Sequence, residues 1–122
     1  MVREDGIQIE ERGKGGLEHR FWQEKIAEHY REKGYEVKIE HEIDGKSIDV
    51  YAENEKKIGA EVAMSAKGEV ENIKKDLKLN LDHLIVACKD ERVMSDIGMK
   101  AKDTIGREKV KEVKFKVVRD VF

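Results

Sequence analysis

Two short stretches, Ser47-Ile48-Asp49-Val50-Tyr51 and Ile58-Gly59-Ala60-Glu61-Val62-Ala63-Met64, decide how this chain is read. Both have the composition of strands, and the polar link Glu53-Asn54-Glu55-Lys56-Lys57 joins them as a hairpin. Side chains alternate across a strand, so Ile48 and Val50 are expected on one face and Asp49 on the other. On the second strand Ile58, Ala60, Val62 and Met64 fall on one face, and Glu61 and Ala63 on the other. Pairing would then put both apolar sets on one face and both carboxylates on the opposite one. Hard divalent cations such as magnesium take carboxylate oxygens, so Asp49 and Glu61 read as a metal site. For Asp49 alone, an acid near a turn paired with a lysine explains the residue equally well. For Glu61 that reading is weaker, because an unpaired carboxylate in a central strand is costly.

Outward from the hairpin the pattern gives a chain of elements. A helix is expected from about Leu17 to Lys33, with Gly34 as its stop. The stretch from Tyr35 to Ile43 alternates Val37, Ile39, His41 and Ile43 against charged residues, as a strand does. Asp44-Gly45 is a tight-turn signal leading into the Asp49 strand. A second helix runs from about Gly68 to Leu79 on a stripe of Val70, Ile73 and Leu77. His83 to Cys88 reads as a strand buried on both faces and parallel to a neighbour. A helix from about Asp90 to Thr104 and a strand holding Val113, Phe115 and Val117 close the chain. The expected class is α/β, one domain over residues 1–122. Residues 1–12 form an arm or edge strand, 13–88 the core, and 89–122 a C-terminal helix and strand.

Composition bounds the function. The 122 residues carry 25 Lys and Arg against 27 Asp and Glu, so bulk charge does not drive nucleic-acid binding. The 43% charged content resembles that of heat-adapted proteins, although the absence of proline does not. Cys88, the lone cysteine, reads as a small buried hydrophobe and fits a reducing, cytoplasmic setting. No apolar run approaches the about 20 residues of a membrane helix, and no signal peptide is visible.

The first helix is not simply amphipathic. Trp22, Ile26, Ala27 and Tyr30 make its apolar stripe, yet His19 and Gln23 fall inside that stripe and Glu18 at its edge. Polar residues at one end of a buried stripe point to a cleft, or to hydrogen bonds that cap neighbouring strands.

The order of elements, together with Asp49 and Glu61, resembles the PD-(D/E)xK nuclease superfamily, the restriction-endonuclease-like fold. That core has the order αβββαβ, here followed by αβ, with a mixed sheet flanked by helices. The resemblance covers roughly residues 13 to 88. Lys14-Gly15-Gly16-Leu17-Glu18 also looks like the glycine-bearing lead-in of archaeal Holliday-junction resolvases, and Mrr-like nucleases are similar. The resemblance implies Asp49 on the second strand and Glu61 on the third as catalytic acids. With Glu18 from the first helix they would hold magnesium or manganese. The metal would polarise a phosphoryl oxygen and activate water for attack on a DNA phosphodiester. The family's Glu-x-Lys lysine is Ala63 here. Lys67 and Lys74 are the candidates to replace it, with Lys75 pointing away on an ideal wheel. Without a substitute, loss of one such charge costs about 10²–10³ in rate.

Lys14, Arg20, Lys46 and Lys75 are candidates for holding a phosphate backbone, with His19 and Gln23 lining the site. No aromatics interleave with them, so backbone or structure recognition is expected rather than base stacking. Three functions compete: a magnesium-dependent DNA endonuclease; a degenerate nuclease fold kept for DNA binding or protein docking, as part of or partner to a larger ATPase; and a small interaction domain without a ligand. The apolar residues of the last strand and tail, Val113, Phe115, Val117, Val118, Val121 and Phe122, are expected to cover a sheet edge or to make a homodimer contact.

Overall fold

The structure, a computed structural model, describes residues 16–121. The expected arm at 1–12, Lys14 and Phe122 lie outside the described residues. Helix α1 (Leu17–Glu32) ends where Gly34 takes φ 91°, a left-handed turn that glycine adopts without strain. Strand β1 (Glu36–Ile43) and strand β2 (Lys46–Glu53) form an antiparallel hairpin. Its Asp44-Gly45 turn has φ of 50° and 80°, the doubly positive pair that matches strand twist. Strand β3 (Lys57–Ala63) pairs antiparallel with β2. Helix α2 (Glu69–Asp76) then crosses over to strand β4 (His83–Cys88), which lies parallel to β3. Helix α3 (Glu91–Ile105) and the short helix α4 (Arg107–Val110) lead to strand β5 (Val113–Val117), parallel to β4. The result is an α/β domain with a five-stranded mixed sheet in the order β1-β2-β3-β4-β5.

The sheet separates two apolar layers. On one side Ile26, Ala27 and Tyr30 of α1 pack on Val50, Ala60, Val62 and Ile85. On the other, Ile73 of α2 and Ile97 of α3 pack on Ala63, Val86 and Cys88. Val113, Val117, Val118 and Val121 are buried inside the chain's own core. Cys88 is buried as expected, and burial pushes its thiol up to about 12.

The alternation expected of β1 and β2 breaks in the middle. Ile39 and Val50 face the α1 layer, whereas His41 stacks on Tyr51 at 4.8 Å and Ile48 lies against Gly59. The ladder runs from Ile39 and Val50 to His41 and Ile48 without pairing Glu40 to Asp49. Glu40 takes φ 52°, a left-handed conformation costly for a residue with a Cβ, and its carboxylate accepts from Arg20 of α1 at 2.9 Å. One residue in each strand is thereby turned, and Ile48 and Val50 come to lie on opposite sides of the sheet.

Candidate functional site

The pairing of β2 and β3 ends at Val50 and Ala60, and beyond that point the two acids fill the gap between the strands. The Val62 N–H donates to Asp49 Oδ2 at 2.8 Å, and the Asp49 N–H donates to Glu61 Oε1 at 3.1 Å. Each carboxylate thus satisfies a backbone donor that the interrupted ladder leaves behind. Both side chains are buried, Asp49 to 3% and Glu61 to 1% exposure.

The two acids nevertheless look in opposite directions. Asp49 turns toward α1, where His19 Nε2 lies 3.2 Å from Oδ2 and the Gln23 amide donates to the Asp49 carbonyl at 2.8 Å. Glu61 turns toward α2, where the Lys46 ammonium donates to Oε2 at 2.8 Å. The same ammonium lies 3.2 Å from Asp76 Oδ1, and Asp76 is only 1% exposed. The expectation of two carboxylates on one face therefore fails. The turned residue at Asp49 sends it to the α1 side, while Glu61 keeps its place on the α2 side.

Lys46, Glu61 and Asp76 form a closed electrostatic unit. Burial raises the Glu61 carboxyl far above the usual carboxylate range, and contact with Asp76 and the charge of Asp49 add to it. Burial works against the Lys46 charge, but the hydrogen bond and charge of Glu61, with those of Asp76, outweigh it and hold the lysine above its ordinary 10.5. No N–H or O–H meets Asp76 in hydrogen-bonding geometry. The Lys46 ammonium thus stands between two buried acids, of which Glu61 is the one whose charged form burial disfavours.

Asp49 borders a cleft of ≈ 200 Å³ between the starts of α1 and α2. Val62 and Met64 give it an apolar wall, and His19, Ser65, Glu69 and Asn72 line the rest. Gln23 braces Asp49 from behind instead of lining this space.

The other expected site residues are scattered. Glu18 is half exposed and lies 3.9 Å from Lys89, apart from the acid pair. Lys74 lies 3.8 Å from Glu71 on the surface, and Lys67 and Lys75 are exposed. None of these three lysines lines the cleft. Of the expected phosphate-holding residues, Arg20 is tied to Glu40 and Lys46 to Glu61. The lysine beside Glu61 thus comes from the start of β2, not from α2. Asp76 was missed although a signal existed, since it stands three residues after Ile73 at the flank of the α2 stripe.

As arranged, these donors do not fit a magnesium centre. Among the described residues no three His, Cys, Asp or Glu side chains gather as a metal-holding group. Glu61 accepts from a backbone N–H and an ammonium, and burial raises its carboxyl well above the usual range. Among the described residues no helix is long and apolar enough to cross a membrane. Comparisons with models of known families, with curated proteins and with solved structures return no match.

Proposed function

We propose that this chain is a restriction-endonuclease-like domain whose acid pair has become a structural device, and that it serves as a docking module rather than as a hydrolase. The observation that carries this reading is the Lys46 ammonium held between Glu61 and Asp76. A cation of the protein's own stands beside the carboxylate that a nuclease would offer to magnesium. Side-chain exposures of 11% for Lys46 and 1% for Glu61 leave little of either to meet a phosphate. Docking to protein is favoured over DNA because Arg20 and Lys46 are both engaged internally. A larger ATPase that carries or recruits such a domain is the partner class suggested by the resemblance.

The hydrolase reading keeps one support, namely that Asp49 borders an open cleft. The test is incubation of linear, single-stranded and four-way-junction DNA with magnesium or manganese, using Asp49→Ala and Glu61→Ala as controls. The docking reading expects no metal-dependent cleavage. Cleavage abolished in both variants would restore the nuclease.

A further inference from the structure

We propose that the outer edge of β1 pairs with β1 of a second copy of this chain, antiparallel about a two-fold axis at Val37. The proposal goes beyond the docking reading and does not rest on it, because it concerns a sheet edge and not the acid pair.

The five-stranded sheet has two edges, β1 and β5. An edge strand presents backbone N–H and C=O groups that another strand can pair with. β5 guards its edge by charge. In Val113-Lys114-Phe115-Lys116-Val117 both lysines fall on one face, so a second β5 meets lysine with lysine in any antiparallel register that overlaps them.

β1 differs. Glu36-Val37-Lys38 sets opposite charges two positions apart on one face, and both side chains are exposed. Among the described residues neither has an ion-pair partner. Glu36 moreover stands directly opposite Glu53 of β2, a like-charge pair that costs stability. A cavity of ≈ 260 Å³ opens beside them, lined by Glu36, Lys38, Tyr51, Glu53 and Asn54. The Tyr51 hydroxyl donates to Glu53 at 2.6 Å, which leaves Glu36 as the acid to be matched. Lys38 of a second copy supplies that cation on the outer side.

The same residues fix the register. Centred on Val37, an antiparallel pair sets Glu36 opposite Lys38 of the second copy and Lys38 opposite its Glu36. On the α1 side it sets Val37 on Val37 and Tyr35 on Ile39, all partly buried apolar residues. Centring on Lys38 or on Glu36 puts that residue opposite itself, a like-charge contact. Centring on Ile39 needs Glu40 opposite Lys38, but Glu40 is turned to φ 52° and held by Arg20. The turned residue also ends the regular edge, so the contact is short. About five residues a side is well below the roughly 20–30 of a stable interface, and the dimer is therefore weak.

The test is sedimentation equilibrium of the full chain from about 10 μM to 1 mM, with backbone amide shifts followed over the same range. The expected result is a monomer–dimer equilibrium, with concentration-dependent shifts at 36–39 and none at 113–117. Glu36→Lys and Lys38→Glu each place like charges opposite one another at both contacts, and each weakens the dimer by about tenfold or more. Mixed together, the two variants restore opposite charges at both contacts and associate as strongly as the native chain. That recovery separates a charge effect from a folding fault in either variant. A monomer throughout, undiminished association in either single variant, or a mixture that fails to associate overturns the proposal. Shifts confined to 113–117, or growth beyond the dimer, would place the contact on the β5 edge and overturn it as well.

Discussion

Asp49 and Glu61 stand on neighbouring strands, Glu61 accepting from the Asp49 N–H and Asp49 from the Val62 N–H, yet one side of the sheet sets its acid beside a cleft and the other in the core. On the α1 side Asp49 meets an imidazole and a cleft. On the α2 side Glu61 meets an ammonium and a second acid with almost no solvent contact. The difference teaches that a carboxylate in a strand gap has a structural task before it has a chemical one. Both acids first satisfy backbone N–H groups left by the broken ladder. What each can do afterwards depends on the helix layer it faces.

The largest expected effect comes from breaking the α2 side. Lys46→Met removes the cation and leaves Glu61 and Asp76 buried together. Removing one partner of a buried ion pair costs about 3–5 kcal/mol, because the remaining charge is uncompensated. Urea unfolding of Lys46→Met is expected to show a loss of that size. Adding Glu61→Gln and Asp76→Asn to it recovers most of the loss, since no buried charge then remains. A loss under about 1 kcal/mol would mean that Lys46 is a surface lysine folded over by chance, and the contrast between the two sides would fall.

A second effect, smaller at neutral pH, follows from the raised Glu61 carboxyl. The folded state holds the proton more tightly than the unfolded state, in which the group titrates near its ordinary 4.5. Below that value both states are protonated and the contribution of Glu61 is fully present. As pH rises the unfolded state releases the proton first, so this contribution declines, by at most about 1.4 kcal/mol per pH unit for one proton. The loss continues toward the raised folded value. Melting temperature against pH is therefore expected to fall more steeply from pH 5 upward in the native chain than in Glu61→Gln, which cannot titrate. Parallel curves would overturn the raised Glu61 carboxyl.

The element order was legible because the periodicities are strong. The Asp44-Gly45 turn, the Gly34 stop and the doubly buried His83–Cys88 strand all stand where their residue types require. The burial of His19 and Gln23 in the α1 stripe was legible for the same reason. The facing of the acids was not. Period-2 alternation assumes an unbroken ladder, and a glutamate at φ 52° carries no sequence mark. Lys46 was equally opaque. A lysine just after a turn reads as solvent-exposed, and only the long-range partner Asp76, 30 positions on in the chain, draws it inward. Glu18 and Lys74 illustrate the reverse error, since correct spacing along the chain did not bring them to the acids.

The smallest effects sharpen the same contrast from the α1 side. His19→Ala removes a buried contact to Asp49, but the Val62 N–H still holds the same oxygen. The expected loss is about 1–2 kcal/mol, the range for one buried hydrogen-bond partner. Glu18→Ala and Lys74→Ala remove only exposed ion pairs, 3.9 and 3.8 Å long. Each is expected to fall within about 0.5 kcal/mol of the native chain, as surface pairs do. Measured together by chemical unfolding with and without magnesium, the three variants separate two arrangements. If His19 alone matters and magnesium changes nothing, Asp49 is held by protein groups, as its geometry describes. If magnesium stabilises the native chain and Glu18→Ala abolishes that gain, Glu18 swings from Lys89 to join Asp49 around an ion. The two sides of the sheet would then differ in occupancy rather than in kind.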